Sequence, residues 1–145
     1  MTFSVSYGND PWLRWDTPRQ EFEVVKVLPV LWRIDNVVYA DFRVKAGFYS
    51  DLASIPQWAT AFIPKLGYHV RAAVVHDWTY RMVGHERLSR AQADLLFLHG
   101  MESDGVRFFR RNVMYRAVRL GGENNFKSKR KEITKDDKFE TIADG

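Results

Sequence analysis

The chain has 145 residues, 46% hydrophobic and 14% aromatic, with a net charge of +4, which supplies apolar material for one core and too little for two. It contains no cysteine, so disulfides are excluded and a reducing compartment suits it; no signal peptide or membrane span is expected, because no basic segment precedes an apolar run and no apolar stretch reaches spanning length. The positive charge gathers in the arginines after Gly105 and in Lys127 to Lys131, a pattern that a solvated surface explains without nucleic acid and that leaves phosphate head groups or an acidic protein open as partners.

The first twenty residues, with Gly8, Pro11 and Pro18, read as an irregular lead-in that adds one edge strand near Phe3 to Tyr7. From Glu21 to Phe48 strand formers dominate: Phe22, Val24, Val25, Val27 and Leu28, then Val30, Trp32 and Ile34. Asp35-Asn36 signals a turn, and Val37, Val38, Tyr39, Phe42 and Val44 return, which predicts an antiparallel hairpin or short meander.

After Gly47 the character changes. Ser54-Ile-Pro-Gln57 has the spacing of a capping box with proline in the first turn, predicting a short helix to Phe62 before Pro64. A longer helix runs from near Gly67 to near Gly84 through Val70, Ala72, Ala73, Val74, His76, Trp78 and Tyr80. Ser89-Arg-Ala-Gln92 is a second capping box, opening a helix through Asp94, Leu95, Phe97, Leu98 and Met101 that stops near Gly105. The short link makes these two helices antiparallel. A last helix spans about Val106 to Leu120, where Val106, Phe109, Val113, Ala117 and Leu120 form a stripe expected to face the core, with Arg107, Arg110, Arg111 and Arg119 largely off it. Gly121-Gly122 ends it, and the polar residues 123–145 read as a tail, disordered in isolation. The expected fold is therefore α+β: one globular domain over 1–122, with an N-terminal antiparallel hairpin or small sheet followed by three to four helices.

Residues four apart on a helix share a face, so His76 and Tyr80 point together while Asp77 lies about a hundred degrees around. Asp94 falls in line with Ala91, Phe97, Leu98 and Met101, an acid on an apolar stripe. Burying a carboxylate is costly unless it is paired, and the neighbouring helix offers His76 and Tyr80 as partners. A hydrogen bond from one ring nitrogen of His76 to Asp94 would fix the tautomer and leave the other nitrogen to take a proton from water. Tyr80 would donate to the same carboxylate. Asp77, with Asp51 of the Gly47–Pro56 turn, forms a separate set of oxygen ligands suited to calcium or another divalent cation, which would steady an oxyanion. Ser50 and Ser54 lack the glycine-flanked elbow of serine hydrolases and read as turn and cap residues. His69, His85 and His99 show no metal spacing and read as structural, and the five tryptophans as core or interface residues.

The segments Phe48-Tyr-Ser-Asp-Leu-Ala-Ser-Ile-Pro56, Ala72-Ala-Val-Val-His-Asp-Trp-Thr-Tyr80, Ser89-Arg-Ala-Gln-Ala-Asp94 and Met114-Tyr-Arg-Ala-Val-Arg119 resemble, in this order, an uncharacterised domain family of tailed phages and prophages. That resemblance implies residence in a virion or in the host cytoplasm, with phage structural proteins as partners of the basic helix and tail. More narrowly, His76-Asp77-x-x-Tyr80 followed by Asp94 is similar to the active-site helices of phospholipase A2. This likeness implies that His76 activates water, Asp94 orients His76, Tyr80 supports Asp94 and Asp77 binds calcium, with a lipid or related ester as substrate. The chain departs from that pattern in having neither the glycine-rich calcium loop nor the helix-linking cysteines. Three readings follow: a small esterase, a non-enzymatic virion component in which His76, Tyr80 and Asp94 clasp two helices, and a cation-dependent phosphoesterase using Asp51, Asp77 and His76.

Overall fold

The computed structural model describes residues 2–51, 69–81, 87–123 and 126. Strands β1 (Phe3–Tyr7), β2 (Leu13–Asp16), β3 (Glu21–Val24), β4 (Leu28–Ile34), β5 (Val37–Val44) and β6 (Tyr49–Ser50) precede helices α1 (Val70–Arg81), α2 (Arg90–Ser103) and α3 (Phe108–Gly121). The class is α+β, as the composition and periodicity predict. Instead of a hairpin or one small sheet, however, the strands build two antiparallel three-stranded sheets, ordered β1-β4-β5 and β2-β3-β6. Three helices occur among the described residues, and the helix expected at 54–62 lies outside them.

The first sheet forms for the reasons its sequence suggests. Asp35 and Asn36 turn the β4–β5 hairpin with φ of 50° and 65°, the paired positive values that a tight hairpin turn of this hand requires. Leu28, Val30 and Trp32 alternate inward from β4 and meet Phe42 and Val44 of β5 and Val5 of β1. A register shift at Trp32/Arg33 pairs Trp32 with Ala40 and Arg33 with Val38, so Tyr39 is the extra residue of a bulge. Its ring packs edge-on against Trp32 at 4.6 Å.

The second sheet corrects the reading of the first twenty residues as an irregular lead-in with one edge strand. Leu13–Asp16 pairs with Glu21–Val24 across a turn in which Asp16 accepts from the backbone of Arg19 through its side chain and of Gln20 through its carbonyl. Trp15 packs on Phe22 with centroids 5.0 Å apart, and Arg14 pairs with Glu23 across the strands. Such cross-strand pairs hold a ribbon whose residues are mostly half-exposed.

The first sheet rests on α2. Ser103 Oγ accepts the backbone N–H of Val5 at 3.1 Å, the His99 ring stacks on Phe3 at 3.6 Å, and Trp32 Nε1 donates to His99 Nδ1 at 3.0 Å. α1 also packs along α2, with Ala72 and Tyr7 of β1 both close to Gly100, and α3 packs on α2 in turn. Ala72, Ala73, Val74 and Val75 are all buried, so α1 is covered on nearly every side. α3 departs from expectation: Met114, Ala117 and Val118 are its buried residues, whereas Phe109 and Leu120, read as core from their spacing, face solvent. On α2, Ala91 is likewise exposed, and the apolar surroundings of Asp94 come from Ala93, Leu96, Phe97 and Met101.

Candidate functional site

The site is assembled by helix starts and spacings. Both halves of the predicted capping box at Ser89 are present: Ser89 Oγ accepts from Gln92 N at 3.1 Å, and Gln92 Oε1 accepts from Ser89 N at 2.9 Å. That fixes the first turn of α2 and sets Asp94 one turn further in. On α1, His76 and Tyr80 lie one turn apart with ring centroids 4.2 Å from each other, and Phe97 of α2 covers the imidazole at 4.7 Å.

His76 Nε2 lies 2.7 Å from Asp94 Oδ1, and the Tyr80 hydroxyl donates to the same oxygen at 2.5 Å. A carboxylate accepts only, so the proton in the His76–Asp94 bond is on Nε2, and in the neutral ring Nδ1 presents its lone pair. His76 Nδ1 is buried and has no hydrogen-bond partner among the described residues. All three side chains that the sequence groups are thus brought together, His76 at 2% exposure and Asp94 at 0%.

Two further residues that sequence reasoning missed complete the cluster. Arg119 Nη1 donates to Asp94 Oδ2 at 2.8 Å. Arg90, one helical turn before Asp94, holds its Nε 3.9 Å from the same oxygen and donates through Nη2 to the carbonyls of Val118 and Arg119, the former at 3.0 Å. Those carbonyls lie in the last turn of α3, where helix geometry runs out of backbone donors; that of Val118 also accepts the Gly122 N–H at 2.9 Å. The i, i+4 spacing of Arg90 and Asp94 was a readable signal; nothing local tied Arg119 to an acid 25 residues earlier. Burial alone would raise the Asp94 carboxyl; the hydrogen bonds from His76, Tyr80 and Arg119 outweigh it and hold its pKa below the ordinary value. Burial, then the bond to Asp94, pushes the Tyr80 phenol well above its ordinary range, so it serves as a donor. The edge of Phe126 closes over the Tyr80 ring at 5.1 Å.

Asp77 faces a different space, as its position around the helix implies. Ser50 Oγ of β6 donates to Asp77 Oδ2 at 2.5 Å, with both residues buried, and this bond ties the second sheet to α1. Asp51 is the next residue and is exposed. Among the described residues no group of three His, Cys, Asp or Glu side chains gathers around one point. Ser50 serves Asp77, and His99 serves Trp32, both in packing roles. Ser54 and His85 lie outside the described residues.

No curated protein and no solved structure matches the chain. The family model described as "Protein of unknown function (DUF1353)" matches residues 29–118, a span from β4 to the last turns of α3 that takes in His76, Asp77, Tyr80 and Asp94. With more than half of its length inside that match, the chain belongs to this family.

Proposed function

We propose that the protein is a small hydrolase of carboxylic esters, with phospholipid as the substrate class, using His76 as general base and Asp94 as its orienting partner. The observation that carries this reading is the asymmetry of the imidazole: Nε2 is held by Asp94 at 2.7 Å, while Nδ1 is buried without a partner. A buried ring nitrogen left unpaired is unusual in folded proteins and calls for an explanation. Here it supplies a desolvated lone pair. Water at Nδ1 gives up a proton as its oxygen attacks the ester carbonyl. The tetrahedral intermediate then expels the alcohol, which recovers that proton from Nδ1, leaving acid plus alcohol. Asp94 stays ionised and stabilises the imidazolium. Tyr80 and Arg119 keep the carboxylate in place.

Asp77 and Asp51 are assigned in this reading to a hard cation such as calcium. Such ions take about six to eight oxygens and favour carboxylates, the donor type of both residues; the buried Asp77 carboxylate is held by Ser50 Oγ, and Asp51 is the residue after Ser50. Bound there, calcium would supply polarisation of the carbonyl. The same proposal sets the protein in a phage or prophage, within the virion or the host cytoplasm, and the resemblance of the motifs around Phe48–Pro56 and His76–Tyr80 supports that reading.

Burial favours a second reading. His76, Tyr80 and Asp94 are each at most 2% exposed, so the same bonds serve equally as a clasp joining α1, α2 and α3 in a non-enzymatic virion component. Fatty-acid release from phosphatidylcholine micelles, with and without calcium, separates the two. The hydrolase reading expects release by the native chain and a fall of about 100- to 10,000-fold in His76→Gln with the circular dichroism spectrum unchanged. No release by the native protein, or equal release by His76→Gln, rejects it in favour of the clasp.

A further inference from the structure

We infer that the outward face of α3 is a docking surface for anionic phospholipid bilayers. Phe108, Phe109 and Leu120 are 70%, 72% and 82% exposed, although each is large and apolar. The buried residues of α3 are Met114, Ala117 and Val118. At a hundred degrees per residue, Phe108, Phe109, Arg116 and Leu120 occupy the arc opposite them. Phe109 and Leu120 lie within about 20° of each other on that arc and about 17 Å apart along the axis. α3 contains no acidic residue, and Arg107, Arg110 and Arg116 are exposed around these side chains. Beyond the helix the sequence continues into Lys127-Ser-Lys-Arg-Lys131.

The combination distinguishes a lipid surface from a protein partner. The buried centre of a protein interface is depleted in charge, whereas here Arg116 sits between Phe109 and Leu120 and divides the apolar surface. A helix lying in a bilayer interface tolerates that arrangement: rings and leucine enter the acyl boundary while arginine stems extend and leave their guanidinium groups among phosphates. Neighbouring cations add attraction to anionic lipid. Because Arg119 on the same helix holds Asp94, a docked α3 would bring the bilayer within one helix width of the His76–Asp94 pair. Such a surface deepens the hydrolase reading, on which its catalytic meaning rests, by specifying that substrate is met as an anionic bilayer.

The test uses the full-length native chain and vesicles of diether lipids, which hold no ester to cleave: phosphatidylcholine alone, or mixed with phosphatidylglycerol, followed by co-sedimentation. The protein should pellet with the anionic vesicles and stay in solution with the neutral ones, with binding weakened by added salt. Arg116→Gln should lower partitioning about fivefold. The double variant Phe108→Ser, Phe109→Ser should lower it by more than about tenfold; both rings are exposed, so an unchanged melting curve certifies its fold. Absence of binding to anionic vesicles, or equal binding by the double variant, overturns the inference. So does a dimer in light scattering that the double variant abolishes when no vesicle binding is seen, because the face then belongs to a second copy of the chain. Release from short-chain lecithin below its micelle concentration is scored separately, so loss of the docking surface and loss of the chemistry remain distinguishable.

Discussion

His99 makes stability depend on acidity in a calculable way. Its ring is buried between Phe3 and Trp32, with Nδ1 accepting the Trp32 indole N–H, and burial lowers its pKa from 6.5 to about 4. A base with a lowered folded pKa binds fewer protons when folded than when unfolded, so the fold is fully stabilised above the unfolded value and loses stability as pH falls from 6.5 towards 4. The full gap corresponds to about 3 kcal/mol, or about 10 °C in melting temperature for a chain of this size. The assay is thermal unfolding followed by circular dichroism across about pH 4 to 7, the window that brackets the unfolded and folded values. His99→Gln keeps an acceptor for Trp32 and cannot titrate, so it should be less stable at pH 7, where the Phe3 stack is lost, yet show a flatter decline below 6.5. A decline equal in slope to that of the native chain would refute the assignment of this titration to His99.

Asp94→Asn removes the charge that Arg119 pairs with and forces one of three donors to face an amide; unfolding in urea should show a loss of about 3 kcal/mol, and a loss below about 1 kcal/mol would mean that the cluster holds little of the helix packing. Gly100→Ala sets a Cβ 2.8 Å from the Tyr7 hydroxyl and 3.3 Å from Ala72 Cβ, so overpacking should cost about 1–3 kcal/mol, read from the same melts; a neutral result would show that strand and helices can separate freely at this point. Asp77→Asn should abolish the heat of calcium binding in titration calorimetry, and native-like binding by that variant would remove Asp77 from any cation site.

How much of this was legible depends on whether a signal is local. The Asp35-Asn36 turn and the Ser89–Gln92 box were read correctly because each is decided within four residues. His76 with Tyr80 was legible for the same reason, and Asp94 because an acid on an apolar helix needs partners that the antiparallel neighbour offers. The division into two sheets was not. β2 and β3 carry almost no alternation of burial, and their pairing is settled by Trp15 on Phe22 and Arg14 with Glu23, contacts that composition does not announce. The stripe on α3 failed differently. Helical spacing shows that Phe109, Val113 and Leu120 share a face, but which face meets the core is set by Arg90 and Arg119 locking the end of α3 onto α2.

The same distinction governs how the central cluster is to be understood. Every bond to Asp94, from His76, Tyr80 and Arg119, is required both by a catalytic dyad and by a clasp, because orienting an imidazole and pinning a helix are the same mechanical act. Substitutions on the Asp94 side therefore lower stability under either role, and under the first they would lower activity with it. Only the far side of the ring separates the roles: a clasp makes no use of His76 Nδ1, whereas a base acts through it. Perturbations that leave Nε2 bound and alter access to Nδ1 are thus more informative than removal of the carboxylate, even though the carboxylate makes the larger energetic contribution.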